Sequence, residues 1–259
     1  MSTVLITGSN RGIGLEFVKQ YSENDYNVIA TCRNPSKAVE LNELAKTNSN
    51  ISILAADITQ EESINNLSIE LNNQPIDILI NNAAYLGPPD PQKFGDIDYK
   101  MFTRSFEVNA IGPIRITEKL IENVRSGETK KIIFLGSAAG SIAQIAPPVT
   151  LYSYRSSKAA LHLAVHNLYH DLMSENIMVS LINPGLVDTR GFLDLKPEDP
   201  IPEEFTKMVP ETLIRMIQEG KIPMITTYES VTKMMSYIQD LTIETKPLFV
   251  NCDGTPMPW

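Results

Sequence analysis

Apolar and polar positions along this chain switch back and forth between two periods. Residues 3–7, Thr-Val-Leu-Ile-Thr, form a short apolar run rich in β-branched residues, the pattern of a parallel strand covered on both faces. Residues 15–24 then carry Leu15, Phe17, Val18 and Tyr21 at helical spacing. The switch repeats. The pattern predicts strands at 27–32, 51–55 and 76–80, with helices at 37–45 and 61–71 between them. A long helix follows at 98–124, interrupted at Gly112-Pro113, and then a strand at 131–135. A helix opens at Tyr154 and runs on through 159–172, followed by a strand at 178–182, a helix at 229–241 and a last strand at 248–250. Strand and helix alternate almost without a break. This predicts an α/β fold: one Rossmann-type domain over 1–259, a doubly wound parallel sheet with helices on both faces.

One stretch departs from the rhythm. Residues 190–228 are the least regular part, with Phe205, Met208, Leu213, Ile214, Met216 and Ile217 able to form one or two amphipathic helices. Long excursions inside compact domains are lids or substrate loops, or ordinary surface insertions.

Composition narrows the function classes. The net charge is −9, and basic residues run together only at Lys130-Lys131, which argues against binding nucleic acid or an anionic membrane. No apolar run approaches the ~18 residues of a membrane span, and no charged-then-apolar leader precedes the first strand. Cys32 and Cys252 lie far apart without metal spacing, so reduced thiols and a cytoplasmic location are expected, with no metal site.

The candidate chemistry sits at strand ends. Gly8-Ser9-Asn10-Arg11-Gly12-Ile13-Gly14 falls between the first strand and the first helix. Glycines there permit a tight turn and let backbone N–H groups and a helix N-terminus approach a pyrophosphate, although a plain glycine-rich turn fits the same residues. The second strand ends Thr31-Cys32-Arg33. An NAD site would place a carboxylate near this point; here stands a guanidinium, with Arg11 as a second cation, which matches a 2′-phosphate. The pattern therefore favours NADP(H) over NAD(H), unless Arg33 is only a solvated loop residue. Asp57 and Asn81 also fall at carboxyl ends of strands, where ligands sit in such sheets. Tyr154 and Lys158 lie one helical turn apart, so a lysine cation can favour the phenolate and tune the tyrosine as a proton donor. The same spacing occurs on many surface helices. Ser137 follows the strand at 131–135, with Ser141 a nearby competitor, and Asn109 lies just before the helix interruption, where periodicity alone favours a structural role.

Taken in order, Thr7-Gly8-x-x-x-Gly12-x-Gly14, Asn81-Asn82-Ala83, Ser137, Tyr154-x-x-x-Lys158 and Pro184-Gly185 resemble the short-chain dehydrogenase/reductase family over nearly the whole chain. Within it, Thr31-Cys32-Arg33-Asn34 and the tail 253–259 are similar to C-factor and sniffer-like carbonyl reductases. The resemblance implies hydride transfer between NADP(H) and a carbonyl or alcohol. Tyr154 would be the acid/base and Ser137 would hydrogen-bond the substrate oxygen. Lys158 would bind the nicotinamide ribose and lower the tyrosine pKa. Asn109 would support a water-linked proton path. Gly8, Asn10, Arg11, Gly12, Ile13, Gly14, Arg33, Asp57, Ile58, Asn81, Ala83, Pro184, Gly185, Val187 and Thr189 would bind cofactor, with Asp57 and Ile58 at the adenine and Val187 and Thr189 at the carboxamide. Tyr152 is excluded as the acid/base because its fourth neighbour is Ser156. Ala84 stands where the family usually has glycine. The resemblance also implies a homo-oligomer, a dimer or tetramer, acting on a small molecule. Two further readings remain: a C-factor-like signalling or cofactor-sensing protein with little turnover, and an NAD-linked alcohol dehydrogenase.

Overall fold

The computed structural model describes residues 1–87, 92–144, 151–196, 198, 200–203, 211–246 and 248–259. Seven parallel strands form one sheet: β1 (Thr3–Thr7), β2 (Asn27–Cys32), β3 (Ile51–Ala55), β4 (Ile78–Asn81), β7 (Lys131–Leu135), β8 (Met178–Asn183) and β11 (Phe249–Asn251). Their spatial order is β11-β8-β7-β4-β1-β2-β3. The chain steps outward from β1 to β3 and then crosses back to β4 on the other side of β1. That reversal opens a crevice beyond the carboxyl ends of β1 and β4. Four short strands lie outside this sheet. β5 (Gln92–Lys93) and β6 (Asp96–Ile97) make an antiparallel hairpin, and β9 (Val187–Asp188) pairs with β10 (Ile225–Thr226).

All five residues of β1 are buried, because both faces of the sheet are covered. Side chains alternate across the sheet. Leu5 joins one core with Ile64 and Leu67 of α3 (Glu61–Leu71), Ile116 of α5 (Gly112–Lys119), and Leu161 and Val165 of α7 (Tyr152–Leu172). Val4 and Ile6 join the opposite core with Phe17 and Val18 of α1 (Gly12–Glu23) and Leu41 of α2 (Val39–Thr47). A third, small core holds Phe192 and Ile214, the latter on α8 (Glu211–Gln218). Phe205 and Met208, expected on helices, lie outside the described residues, as does the side chain of Leu213.

Some boundaries differ from the expected ones for identifiable reasons. The helix expected at 37–45 is a 3₁₀ turn, Pro35–Lys37, followed by α2. The long helix does not break at Gly112-Pro113. Asp98 caps α4 (Tyr99–Phe106) by accepting from the N–H groups of Lys100 and Met101, a π turn follows at Glu107–Ile111, and α5 runs on through both residues. Pro113 has no N–H for the carbonyl four residues back, and a π turn is one way a helix absorbs that defect. Gly112 is small for packing: a Cβ there would lie 2.8 Å from Ile58 Cδ1. The last helix, α9 (Thr227–Asp240), starts before the expected 229 because Thr226 and Glu229 form a capping box. Both cysteines are free and buried. Among the described residues, no helix is long and apolar enough to cross a membrane.

Candidate active site

Beyond β1 and β4 lies a cleft of about 600 Å³, edged by Gly8, Gly12 and Gly14 and reaching Tyr154 and Lys158. Two of these glycines have no room for a side chain. Gly8 has φ +70°, and a Cβ on it would sit 2.8 Å from Ala83 Cα; a Cβ on Gly14 would sit 2.3 Å from Gly8 O. The turn is held from β4. Asn82 Nδ2 donates to Thr7 O at 2.8 Å and Gly8 O at 3.1 Å, while Thr7 Oγ1 accepts from the N–H groups of Asn82 and Ala83 at 3.0 and 3.1 Å. Ala84 lies outside the left-handed region, so this chain needs no glycine there.

The part of the cleft near the glycine turn is cationic. Arg11, Arg33, Arg104 and Arg190 line it, with Asp57 among them. Asp57 Oδ1 accepts from the N–H and hydroxyl of Thr59 at 3.0 and 2.7 Å. Burial pushes this carboxyl up, but the Thr59 bonds, then Arg33 and Arg104, hold it below its ordinary value. Burial and the neighbouring Arg11 lower Arg190. Among the described residues neither Arg11 nor Arg33 makes an ion pair.

At the other end, the first turns of α7 bring Tyr154 and Lys158 to the cleft wall. Lys158 is buried; its Nζ donates to Leu135 O at 2.7 Å and lies 5.9 Å from the Tyr154 ring centroid. Ser137 hydrogen-bonds the Tyr154 side chain. Burial raises Tyr154 above its ordinary value against that bond, and burial pulls Lys158 down to about 8. The expected lowering of the tyrosine by the lysine is therefore not a property of the chain alone. Burial disfavours both the phenolate and the ammonium, the Ser137 bond only partly offsets it at Tyr154, and the ammonium is already engaged by a carbonyl.

Most of the expected residues converge here: Gly8, Asn10, Arg11, Gly12, Ile13, Gly14, Arg33, Asp57, Ile58, Ala83, Tyr154, Lys158, Pro184 and Thr189 line the cleft. Ser137 adjoins it through Tyr154. Asn81 does not line it. Its Nδ2 donates to Thr117 Oγ1 at 3.0 Å, on the α5 side of the sheet, and Asn82 faces the glycine turn instead. Asn109 stands behind the wall. Its Oδ1 accepts from Tyr85 N at 2.7 Å, and its Nδ2 donates to Tyr85 O at 2.8 Å and Ser157 Oγ at 2.9 Å, tying the segment after β4 to α7. Gly185 and Val187 also lie off the cleft wall, Val187 pairing with Ile225. Sequence reasoning missed Asn82, Arg104, Arg190 and His162, whose Nε2 accepts from Ser137 N at 3.3 Å. Strand alternation was a signal for Asn82, since Ile80 and Asn82 share a face; spacing of four was one for His162, next after Tyr154 and Lys158.

The family model described as short chain dehydrogenase matches residues 2–199. A short chain dehydrogenase of Penicillium aethiopicum is 31% identical over 269 residues, covering 100% of this chain and 99% of its own. An uncharacterized oxidoreductase of Schizosaccharomyces pombe is 29% identical over 259 residues, covering 98% and 96%. Among solved structures, the carbonyl reductase Sniffer of D. melanogaster superposes with a TM-score of 0.80 at 26% identity, both chains fully covered. An NADPH-bound carbonyl reductase from chicken fatty liver gives 0.80 at 25% identity, covering 100% of this chain and 99% of its own.

Proposed function

This chain belongs to the short chain dehydrogenase family of oxidoreductases, and we propose that it is an NADP(H)-dependent carbonyl reductase with Tyr154 as its acid/base. The observation that carries the proposal is the meeting of Tyr154, Lys158 and Ser137 in one cleft that also holds a glycine turn and the arginines Arg11, Arg33, Arg104 and Arg190.

The residues fit a dinucleotide. The turn from Gly8 to Gly14 offers backbone N–H groups and the N-terminus of α1 to a pyrophosphate. Arg11 and Arg33 hold a 2′-phosphate, Asp57 and Ile58 the adenosine, and Lys158 the nicotinamide ribose. Asn10, Ile13, Ala83, Pro184 and Thr189 complete the walls, with Gly185 and Val187 behind them shaping the backbone that carries Pro184 and Thr189. Asn81 and Asn109 serve the reaction as braces. When bound, the nicotinamide supplies or takes up the hydride. Ser137 donates a hydrogen bond to the carbonyl oxygen, whose charge grows as the carbonyl is reduced, and Tyr154 Oη delivers the proton to it. The high pKa of Tyr154 suits that donor, which must hold its proton until the oxygen needs it. Residues 190–228 would supply the substrate-binding segment; within it Phe192 and Ile214 share a small core of their own. Exposed Tyr99 on α4 and Leu163 on α7, two helices packed side by side, leave apolar surface for a homo-oligomer.

A panel of aldehydes and ketones assayed with both nicotinamides tests the proposal. NADPH should be used at least about tenfold more efficiently than NADH, as charge-assisted bonds to an extra phosphate require. Equal use, or a preference for NADH, contradicts it.

A pH profile is a second check. Lys158 loses its proton as pH rises through about 8, whereas Tyr154 keeps its own beyond the ordinary phenol range. The kcat/KM for NADPH reports the free enzyme, so it should be level below that pH and decline above it. A level profile well past it would show that the Lys158 charge does not matter.

A further inference from the structure

The loop after β7 closes around one imidazole. A Cβ at Gly136 would lie 3.0 Å from Leu181 Cδ1 and 3.1 Å from His162 Nε2, and one at Gly140 would lie 2.7 Å from His162 Cε1 and 2.8 Å from the Lys158 carbonyl carbon, so glycine at both positions lets the loop lie close against the ring and its neighbours. Between them, Ser137 N donates to Nε2 at 3.3 Å. On its other sides the ring meets Phe249 at 4.6 Å and Trp259 at 6.2 Å between centroids. Trp259 O in turn accepts from Ala143 N at 2.9 Å, so the tail is bound to the same loop. His162 is only 3% exposed.

An imidazole nitrogen that accepts a hydrogen bond carries no proton, so the proton of the neutral ring is on Nδ1. Burial, and then the Lys158 charge one turn away, pull His162 down to about 3, which keeps the ring neutral at any working pH. Nδ1 is buried without a hydrogen-bond partner among the described residues. A buried donor without a partner costs stability, so a purely apolar side chain would serve the core better. What the imidazole adds is the acceptor for Ser137.

We propose that His162 is the positioning residue for Ser137: by holding the Ser137 backbone, it aims the hydroxyl at Tyr154 and the substrate oxygen. This rests on the role given to Ser137 above. Tyr154, Lys158 and His162 follow one another at single-turn spacing on α7, so the helix that carries the proton donor also anchors the second hydrogen-bond donor.

The test is a double-mutant cycle with two controls. His162→Leu should lower kcat about tenfold, because a small misplacement of a reacting group is costly, with the Kd for NADPH unchanged. His162→Asn, which keeps an acceptor, should recover part of that loss. In a Ser137→Ala background His162→Leu should cost less than about twofold, since the group it positions is gone. An equal loss in both backgrounds overturns the proposal and makes His162 a packing residue. If Ser137→Ala costs nothing, or no carbonyl is turned over, the role of Ser137 fails on its own account. Nitrogen-15 NMR of the histidines then decides the inference without turnover. It predicts a neutral His162 with the proton on Nδ1 and a Ser137 amide signal that shifts in His162→Asn. A proton on Nε2 overturns it.

Discussion

Replacing Tyr154 by phenylalanine should lower kcat for carbonyl reduction by about 10²- to 10⁴-fold, the range a positioned acid contributes, while the Kd for NADPH stays within about twofold. The substitution removes one oxygen and keeps the ring. Lys158 retains its bond to Leu135 O, so the helix start and the buried ammonium keep their places. The glycine turn and its Asn82 bonds, at the far end of the cleft, are untouched. Ser137 loses its partner on Tyr154 but keeps its backbone bond to His162, and its hydroxyl still accepts from Ala139 N at 3.2 Å. Beyond that one hydrogen bond, only the proton delivered to the carbonyl oxygen is lost. Steady-state kinetics together with a fluorescence titration of NADPH separate the two quantities. A variant that reduces carbonyls at a rate near the parent's would remove Tyr154 from the chemistry.

The second large effect concerns cofactor choice. Arg33→Asp should weaken NADPH binding by about 10²-fold or more, because it removes charge-assisted bonds and sets a carboxylate against the 2′-phosphate. NADH should bind as well as before or better, since a carboxylate at the end of β2 suits a ribose 2′-hydroxyl. Arg33 makes no ion pair among the described residues, and Asp57, which its charge helps to keep ionised, still has Arg104. Asp57, the nearby acid, keeps its Thr59 bonds. Isothermal titration with both dinucleotides reads the change. An unaltered preference would transfer the discrimination to Arg11, Arg104 or Arg190.

The sheet was legible because buried parallel strands must be apolar on both faces. Residues 3–7, 27–32 and 131–135 announce themselves that way, 51–55 does so less because it is the sheet edge and only Ile51 is buried, and the structure keeps all four bounds. The cleft was legible because glycine turns and charged residues cluster at carboxyl ends of strands. What escaped depends on direction. Asn81 and Asn82 are the same residue type in adjacent positions, and only the pleat decides which faces the turn. Asn109 has the right identity for a site, yet its amide is spent bracing Tyr85 and Ser157, contacts far apart in sequence. Gly112 reads as a helix breaker until the side chain of Ile58 is seen against it. The pKa of Tyr154 could not be read from spacing at all. Helix periodicity gives its neighbours, whereas the burial that raises it comes from the closed tertiary fold.

The central claim is that Tyr154, Lys158 and Ser137 surround the point where hydride passes to a carbonyl carbon. NADPH doubly deuterated at the nicotinamide C4, supplied with a mixture of aldehydes and ketones, tests it most directly by mass spectrometry of the products. The account predicts alcohols carrying one deuterium at the former carbonyl carbon with the parent protein, and almost none with Tyr154→Phe. NADPH that binds but labels no alcohol, or equal labelling by both proteins, would contradict it.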